Sequence, residues 1–320
     1  MYRFIKLLLF ISCFAAVSFS QAHPYASQQP MPQPVLFGNG IVSTAEDDLN
    51  AAFSPDGSTV FFTRNFPRNR LGVILYSEYK KKKWTAPVIA PFSGLATDYD
   101  PFFSHDGSKI FYCSNRSESG RAKGDFDIWY VEKTAGGWSA PKSAGAPVNS
   151  SVDEYYPSIA SDGTLYFSSN RPGGKGSYDI YRSKWVDGKF TEPENLGDGV
   201  NTPGVELDNY ISPDQKFLVF AANGRKDDLG GGDLYISRNT NGAWTPSRNL
   251  GAPINSPARE YCPIGSPDGK YFFFSSFRGD LDKPRETPLK DYAELEALSR
   301  NPMNGRGNVF QIDISALGVE

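Results

Sequence analysis

Histidine and cysteine are scarce in this chain. Its 320 residues include two histidines, His23 and His105, and three cysteines. Nucleophilic triads and zinc sites depend on these residue types, and the sequence contains neither a convincing Ser-His-Asp set nor a zinc-ligand spacing. Cys113 and Cys262 fall at different points of the repeat described below, which predicts two buried free thiols rather than a disulfide. We therefore expect no metal and no cofactor.

Long apolar runs are missing after residue 22, and no block of basic residues there suggests binding to nucleic acid. Leu7–Phe19 is apolar, follows a short basic region, and has the length of a signal peptide rather than a membrane span. We expect a signal peptide at 1–22 and a single mature domain at 23–320, periplasmic or secreted, without a transmembrane segment. The net charge is −3. The basic run Lys80–Lys83 is interpreted as an exposed hairpin, so nucleic acid is not an expected partner.

A repeat dominates what the sequence does contain. The turn Ser-Pro-Asp-Gly, or a close variant, occurs five times at intervals of 50 to 56 residues. Four runs rich in β-branched and aromatic residues lie between turns in each repeat, as in a propeller blade. The sequence thus predicts an all-β, five-bladed β-propeller with four-stranded blades. The turn aspartates are Asp56, Asp106, Asp162, Asp214 and Asp268, and the repeats span about 31–94, 95–150, 151–202, 203–256 and 257–320.

The fifth repeat ends at the chain terminus before a fourth strand can form. Near the N-terminus, Pro34, Gly38 and Ile41 have the same spacing as the residues around the fourth strand of the second repeat. We expect this N-terminal strand to complete the last blade and close the ring, which removes an exposed sheet edge.

The third repeat, Glu154–Asn201, shows the pattern most fully. It contains Ser161-Asp162-Gly163, then Phe167-Ser-Ser-Asn-Arg171 and Gly173-Gly174, and finally Asp179-Ile-Tyr181. This order resembles the WD-like repeats of TolB-type β-propellers, and the resemblance covers nearly all of the mature chain. It implies a periplasmic or cell-envelope location and a binding role.

An acidic residue precedes the innermost strand of every repeat, and an arginine follows every second strand. Both sets are expected at one mouth of the central channel. Either each carboxylate pairs with an arginine and holds the blades together, or the set forms a charged funnel that binds a glycan, a cation or a peptide terminus. The acids are Asp48, Asp98, Glu154, Glu206 and Glu260, and the arginines are Arg64, Arg116, Arg171, Arg225 and Arg278.

Three tyrosines, Tyr99, Tyr155 and Tyr261, directly follow three of these acids. They are candidates either for stacking on sugar rings or peptide side chains or for packing between blades. The leading hypothesis is a monomeric, non-catalytic binding or scaffold protein that recognises a protein partner or an envelope glycan on this face. The alternative is a carboxylate-dependent glycan hydrolase or lyase at the channel mouth. Unpaired acids in a cleft would favour the enzyme, and fully paired acids the binding protein.

One insertion of about thirty residues interrupts the fifth repeat between Arg278 and Asn308. Pro288–Arg300 has helical periodicity, which predicts a helix with one apolar face. We expect this helix either to be a packing ornament or to act as a lid over the channel mouth. Its apolar face comprises Leu289, Tyr292, Leu295 and Leu298.

Overall fold

The computed structural model of the protein describes residues 23–27, 29–66, 70–118 and 122–319. The expected signal peptide at 1–22 lies outside the described residues. The described chain forms five antiparallel sheets arranged as a five-bladed propeller, as predicted. Neighbouring innermost strands contact one another in cyclic order, and the innermost strand of blade five contacts that of blade one. The ring is therefore closed around a central channel.

Each blade is built from an innermost, a second and a third strand in antiparallel order. The innermost strands are Asp47–Phe53, Asp98–Phe103, Glu154–Ile159, Val205–Ile211 and Glu260–Gly265. The second strands are Thr59–Asn65, Lys109–Arg116, Leu165–Ser169, Phe217–Asn223 and Tyr271–Ser276. The third strands are Gly72–Lys80, Ala122–Thr134, Asp179–Ser183, Asp233–Thr240 and Asn308–Asp313.

The outer strands are short, because a proline interrupts each of them in blades one to four and removes a backbone donor. In blades one, two and four, two-residue segments pair with successive parts of the third strand: Lys83–Trp84 and Val88–Ile89, Gly137–Trp138 and Lys142–Ser143, Ala243–Trp244 and Arg248–Asn249. In blade three, Glu194–Asn195 pairs with the third strand, and Trp185–Val186 and Lys189–Phe190 form a separate hairpin.

The N-terminal strand Val35–Leu36 completes blade five, which confirms the predicted closure. Val35 lies opposite Gln311 and Leu36 opposite Phe310 on the third strand. The Phe37 N–H extends the ladder by donating to the Val309 carbonyl at 2.9 Å. The Phe37 ring is buried against Phe273 from blade five and Phe53 from blade one. The N-terminal segment therefore joins the last blade to the first.

The repeated Asp-Gly turns link the innermost strand to the second strand. In blade two, the Ser104 hydroxyl donates to the Asp106 carboxylate at 2.6 Å, and the Ser108 N–H donates to the same oxygen at 3.0 Å. These hydrogen bonds lower the pKa of Asp106 to about 2. Gly107 has a φ of +68°, a left-handed conformation that glycine adopts without steric cost. These turns therefore lie at the end of the channel opposite the acidic residues, and their hydrogen bonds stabilise the link between the innermost and second strands.

Every innermost strand contains a bulge, seen as a shift of register against the second strand. One non-glycine residue in each bulge has a left-handed backbone with φ between 48° and 59°. Left-handed backbone is sterically unfavourable for residues with a Cβ, and bulges commonly re-aim a side chain. We call these five residues the floor residues: Asn50, Asp100, Tyr156, Asp208 and Cys262.

Candidate functional site

The five predicted acids are completely buried, and each forms an ion pair with the arginine of its own blade. The nitrogen-to-oxygen distances range from 2.7 Å for Arg64–Asp48 to 3.1 Å for Arg171–Glu154. Each arginine also stacks over an aromatic ring of its second strand, as Arg116 does over Tyr112 at 5.3 Å. We call these ten residues the acid–arginine ring.

Further hydrogen bonds tie the acid–arginine ring to the loops between blades. In blade three, the N–H and hydroxyl of Ser150 donate to Glu154 at 2.9 and 2.6 Å. Arg171 donates in turn to the Val148 carbonyl at 2.6 Å. Burial raises the pKa of Glu154, and the hydrogen bonds from Ser150 and the positive charge of Arg171 oppose that shift. These contacts join the loop that enters each blade to the end of its second strand.

A cavity of about 320 Å³ opens at the channel mouth on the interblade-loop side; we call it the mouth cavity. None of the acid–arginine ring residues lies on its wall, whereas the three predicted tyrosines all do. The lining comprises Asp47, Leu49, Asn65, Tyr99, Asp100, Phe126, Tyr155, Tyr156, Tyr178, Leu207, Arg259, Tyr261 and Phe277. The structure therefore brings the predicted tyrosines together and places the predicted charges behind the wall.

One side of the mouth cavity is a continuous row of rings, which we call the aromatic belt: Tyr99, Phe126, Tyr155 and Tyr178. Successive ring centroids are 5.8, 4.9 and 6.0 Å apart. Two tyrosines of the belt are fixed at their hydroxyls. Tyr99 donates to Asn65 at 3.1 Å, and Tyr178 donates to Asp153 at 2.7 Å. The belt thus presents a preorganised aromatic surface, with the orientation of its end rings held by hydrogen bonds.

The opposite side of the mouth cavity combines aromatic and charged groups. Tyr261 packs on Phe277 at 5.1 Å, and the guanidinium of Arg259 lies 5.2 Å from the Tyr261 ring centroid. At the rim, Asp47 accepts from Asn65 and from the Gly307 N–H, both at 3.0 Å. This side therefore supplies a cation, a carboxylate and an amide around an otherwise aromatic opening.

Four of the five floor residues, all except Asn50, meet around Cys262, although they come from different blades, and two of them, Asp100 and Tyr156, line the mouth cavity. The Cys262 N–H donates to Asp208 Oδ2 at 3.1 Å, and its Sγ lies 3.9 Å from Asp100, from Asp208 and from the Tyr156 hydroxyl. Burial raises the pKa of Asp208 to about 6, with Arg259 opposing the shift. Burial, followed by the negative charge of Asp208, raises the pKa of Asp100 well above its ordinary value. The floor thus holds two coupled carboxyl groups.

Cys113 and Cys262 are free and buried, as the sequence predicts. They nevertheless approach the same group: Cys113 Sγ lies 3.3 Å from one Asp100 oxygen, and Cys262 Sγ lies 3.9 Å from the other. Burial raises the pKa of both thiols well above the ordinary value. Both sulfurs therefore serve as protonated hydrogen-bond donors around Asp100.

Sequence reasoning missed the floor residues, although a signal was present. They lie two positions after each acid of the ring, at a register position that carries a different side chain in almost every repeat. When one position of a regular repeat carries different residues, the fold of the blade does not require a particular residue type there. The register position alone could not reveal the bulge that brings these side chains together.

The insertion in blade five forms a helix over Tyr292–Ser299, shorter than predicted. None of its residues is buried, and Tyr292 and Leu295 are 72% and 48% exposed, so the expected burial of the apolar face does not occur. The helix is stabilised locally instead: the Asp291 side chain accepts from the Glu294 N–H at 2.9 Å at the N-cap. Leu289 and Leu298 are half-buried. A short 3-10 turn, Asp280–Asp282, precedes the helix, and another, Ile314–Leu317, ends the chain.

The opposite mouth of the channel holds a smaller cavity of about 110 Å³, formed by the ends of the innermost strands and by the repeated turns. Its lining combines apolar side chains, such as Phe53 and Ile264, with polar ones, such as Ser104 and His105. Of these two cavities, only the mouth cavity has carboxyl groups and an arginine in its lining.

The described residues contain neither a membrane-spanning helix nor a cluster of metal-ligating side chains. No helix in these ranges is long and apolar enough to cross a membrane. The same ranges contain no group of three or more His, Cys, Asp or Glu side chains arranged to hold a metal ion.

Several solved structures resemble this chain. They include TolB from Acinetobacter baumannii (16% identity, TM-score 0.48, 72% of this chain and 51% of that one) and α-L-arabinofuranosidase from Lactobacillus brevis (13%, 0.50, 86% and 92%). Kuenenia stuttgartiensis hydrazine synthase is a third (12%, 0.50, 84% and 41%). This chain thus spans about half the length of the TolB chain. At such low identities the likeness shows the fold alone. No protein-family model matches the chain, nor does any curated protein.

Proposed function

We propose that this protein is a non-catalytic binding propeller that holds a saccharide unit of a glycan in the mouth cavity. The observation that carries the proposal is the aromatic belt above a polar floor. Sugar C–H groups carry partial positive charge and pack on the electron-rich faces of aromatic rings. Side chains at the rim, including Arg259, Asp47 and Asn65, offer donors and acceptors for hydroxyl groups. A concave site with many apolar and a few polar groups is typical for a small ligand.

The shape of the site favours a saccharide over a folded protein as the ligand. A stable protein partner typically covers about 800 Å² on each side of an interface. The mouth cavity instead encloses about 320 Å³ behind a rim of side chains, which suits a small unit that enters the channel. The proposal therefore places the ligand inside the ring rather than on the outer faces of the blades.

We further propose that the protein is an exported member of the TolB-type propellers, acting in the periplasm or outside the cell. The repeat pattern and the apolar N-terminal segment 1–22 support this placement. Glycans of the cell envelope or of the surroundings are available there.

Isothermal titration calorimetry against a panel of oligosaccharides tests the binding function. We expect at least one saccharide to bind the protein, and Tyr155→Ala to weaken binding by about tenfold or more, equivalent to about 1.4 kcal/mol. Tyr79→Ala is the matched control, because Tyr79 packs on Trp84 at the outer edge of blade one. The proposal fails if no saccharide binds, or if Tyr155→Ala binds as tightly as the parent. If no saccharide binds, but a purified partner protein binds the propeller and Tyr155→Ala weakens that binding, the ligand is a protein and not a glycan.

A glycan hydrolase is the second candidate function, and one observation favours it. Among the described residues, no Lys or Arg nitrogen lies within 4 Å of Asp100 or Asp208, unlike the acids of the acid–arginine ring. The pKa of about 6 at Asp208 suits a general acid near neutral pH. Incubation with the saccharide that binds, followed by analysis of reducing ends, distinguishes the two functions. Release of products that is abolished in Asp208→Asn would establish hydrolysis, whereas intact saccharide supports binding alone.

A further inference from the structure

Asp100 is the most unusual acid in the described chain. Its side chain is buried, lines the mouth cavity, and has the two thiols of Cys113 and Cys262 as its hydrogen-bond partners. Thiols are weak donors, and a buried carboxylate without a cation is strongly disfavoured. In the acid–arginine ring, by contrast, an ion pair with an arginine stabilises each buried carboxylate. Asp100 is therefore a buried acid that lacks a cationic partner within the described residues.

Asp208 provides a second observation next to Asp100, because Cys262 Sγ lies 3.9 Å from both carboxyl groups. It is 1% exposed, and although its Oδ2 accepts from the Cys262 N–H, its Oδ1 has no hydrogen-bond partner in the described part of the chain. Arg259 attracts this carboxylate from the wall of the cavity. Its guanidinium lies over Tyr261 without forming an ion pair with Asp208 in the described structure. A buried oxygen without a partner is uncommon in folded proteins.

We infer that the floor of the mouth cavity takes a cationic group of the ligand, and that the ligand is an amine-bearing saccharide whose ammonium group binds at Asp100, the floor acid that lines the cavity. The buried carboxyl group of Asp208 lies behind it, with Cys262 Sγ 3.9 Å from both acids. An ammonium group has three donors and is a stronger donor to a carboxylate than the two thiols are. The rings of Tyr155 and Tyr156 line the same cavity as Asp100, and a cation that lies over an aromatic face gains cation–π attraction. This inference rests on the proposed function and specifies its ligand.

Binding of a cation at this floor is coupled to proton release. Burial and, after it, the negative charge of Asp208 raise the pKa of Asp100 and so favour its protonated form in the free protein. An ammonium group favours the ionised carboxylate and so displaces the proton into solution. The titratable and charged groups that interact with Asp100 are Asp208, Cys113, Cys262, Tyr99, Tyr155 and Tyr156, with Arg259 acting on Asp208.

Calorimetry with two matched disaccharides tests the inference. The β-1,4-linked glucosamine dimer and its N,N′-diacetyl form share one carbon skeleton and differ in positive charge. Near neutral pH we expect the amine form to bind at least about tenfold more tightly, equivalent to about 1.4 kcal/mol. Its binding enthalpy should also change with the ionisation enthalpy of the buffer, as proton release requires. Asp100→Asn should abolish both the preference for the amine form and the proton release.

The Asp100→Asn substitution should preserve the local backbone, and a matched control for net charge is present in the same blade. Asn50 occupies the same left-handed position in blade one, with a φ of 57°, so asparagine is compatible with this backbone. Asp106→Asn is the control for net charge, because Asp106 lies in an exposed turn at the opposite end of the channel. We expect the control to bind both disaccharides like the parent protein.

The possible outcomes separate this inference from the proposed function. Equal binding of the two disaccharides, or a preference that survives in Asp100→Asn, overturns the cationic site while saccharide binding stands. If neither disaccharide binds, benzylamine and benzyl alcohol serve as smaller probes of the floor. Benzylamine binding that depends on Asp100 then supports the cationic site without the saccharide. Absence of that binding overturns the cationic site.

Discussion

In blades two and four, two kinds of buried acid lie two residues apart, because the floor residue of these two blades is an aspartate. Asp98 pairs with Arg116 at 2.7 Å, whereas Asp100, two residues later, contacts thiols. The same contrast separates Glu206, which pairs with Arg225, from Asp208. Paired acids stabilise the fold, and unpaired buried acids cost stability. This difference between neighbouring side chains leads to two predictions at the residue scale.

The first prediction concerns Asp208, whose pKa rises from 3.8 to about 6 on folding, mainly through burial. A group with a raised pKa stabilises the folded state below its unfolded pKa, and that stability is lost as the pH rises through the folded value. The difference between the two values corresponds to roughly 3 kcal/mol. Denaturant melts should therefore show the parent losing stability relative to Asp208→Asn between about pH 4 and pH 6. The Cys262 N–H keeps an acceptor in this variant.

Asp187→Asn is the control for that measurement. Asp187 also has a left-handed backbone, with a φ of 50°, but it is exposed. Its substitution removes the same charge at an exposed position and should leave the free energy of unfolding within about 0.5 kcal/mol of the parent value. Parallel pH profiles for the parent and Asp208→Asn would contradict a buried, ionisable Asp208.

The second prediction concerns the acid–arginine ring. Glu154→Ala leaves Arg171 without its buried carboxylate, which should cost about 3–5 kcal/mol in the free energy of unfolding. Glu194→Ala in the same blade removes an exposed ion pair with Arg182, which should cost about 1 kcal/mol or less. Chemical denaturation of both variants checks the contrast. An unchanged midpoint for Glu154→Ala would assign this residue a role outside the stability of the fold.

At the scale of single elements, the two-residue closing strand of blade five and the residue that follows it are expected to have a large effect on stability. Phe37 is 6% exposed and packs between blades, whereas Val35, two residues earlier, is 51% exposed. Phe37→Ala should cost about 3–5 kcal/mol, because it leaves a cavity between two blades. Val35→Ala should stay within about 0.5 kcal/mol of the parent. Equal melting temperatures for the two variants would show that this strand does not close the ring.

The insertion helix gives the opposite expectation for stability. Because the helix buries no residue, replacing 288–300 with a Gly-Ser segment should change the free energy of unfolding by less than about 1 kcal/mol. The same variant tests the predicted lid, since removal of a lid should speed association of the saccharide measured by stopped flow. A large loss of stability would show that the helix is part of the core, and an unchanged association rate would exclude a lid.

At the scale of the whole molecule, the repeat makes the fold predictable from sequence. The turn at Asp106, the spacing of Pro34 and Gly38, and the strand-like runs between them are local signals that recur five times. Each local preference agrees with the same blade, and such consistency is what allows a sequence to specify a fold. The number of blades and the closure by the N-terminal strand followed from that agreement.

The candidate site was predictable only in part. Tyr99, Tyr155 and Tyr261 were placed at the channel mouth because they lie at equivalent points of their repeats. The approach of Cys262 to Asp100, 162 residues apart, depends on bulges whose geometry no local pattern reveals. For the insertion helix, the prediction of a helix is confirmed, but the expectation that its apolar face is buried is wrong. The helix lies at the surface, where the Asp291 side chain caps its N-terminus.

The most direct measurement of the central claim is a crystal structure of residues 23–320 soaked with the glucosamine dimer. We predict electron density for one sugar ring against Tyr155 in the mouth cavity, with its amino group at Asp100. Density for the sugar at the opposite mouth or on the outer strands, or an empty mouth cavity at saturating concentration, would contradict the proposed function.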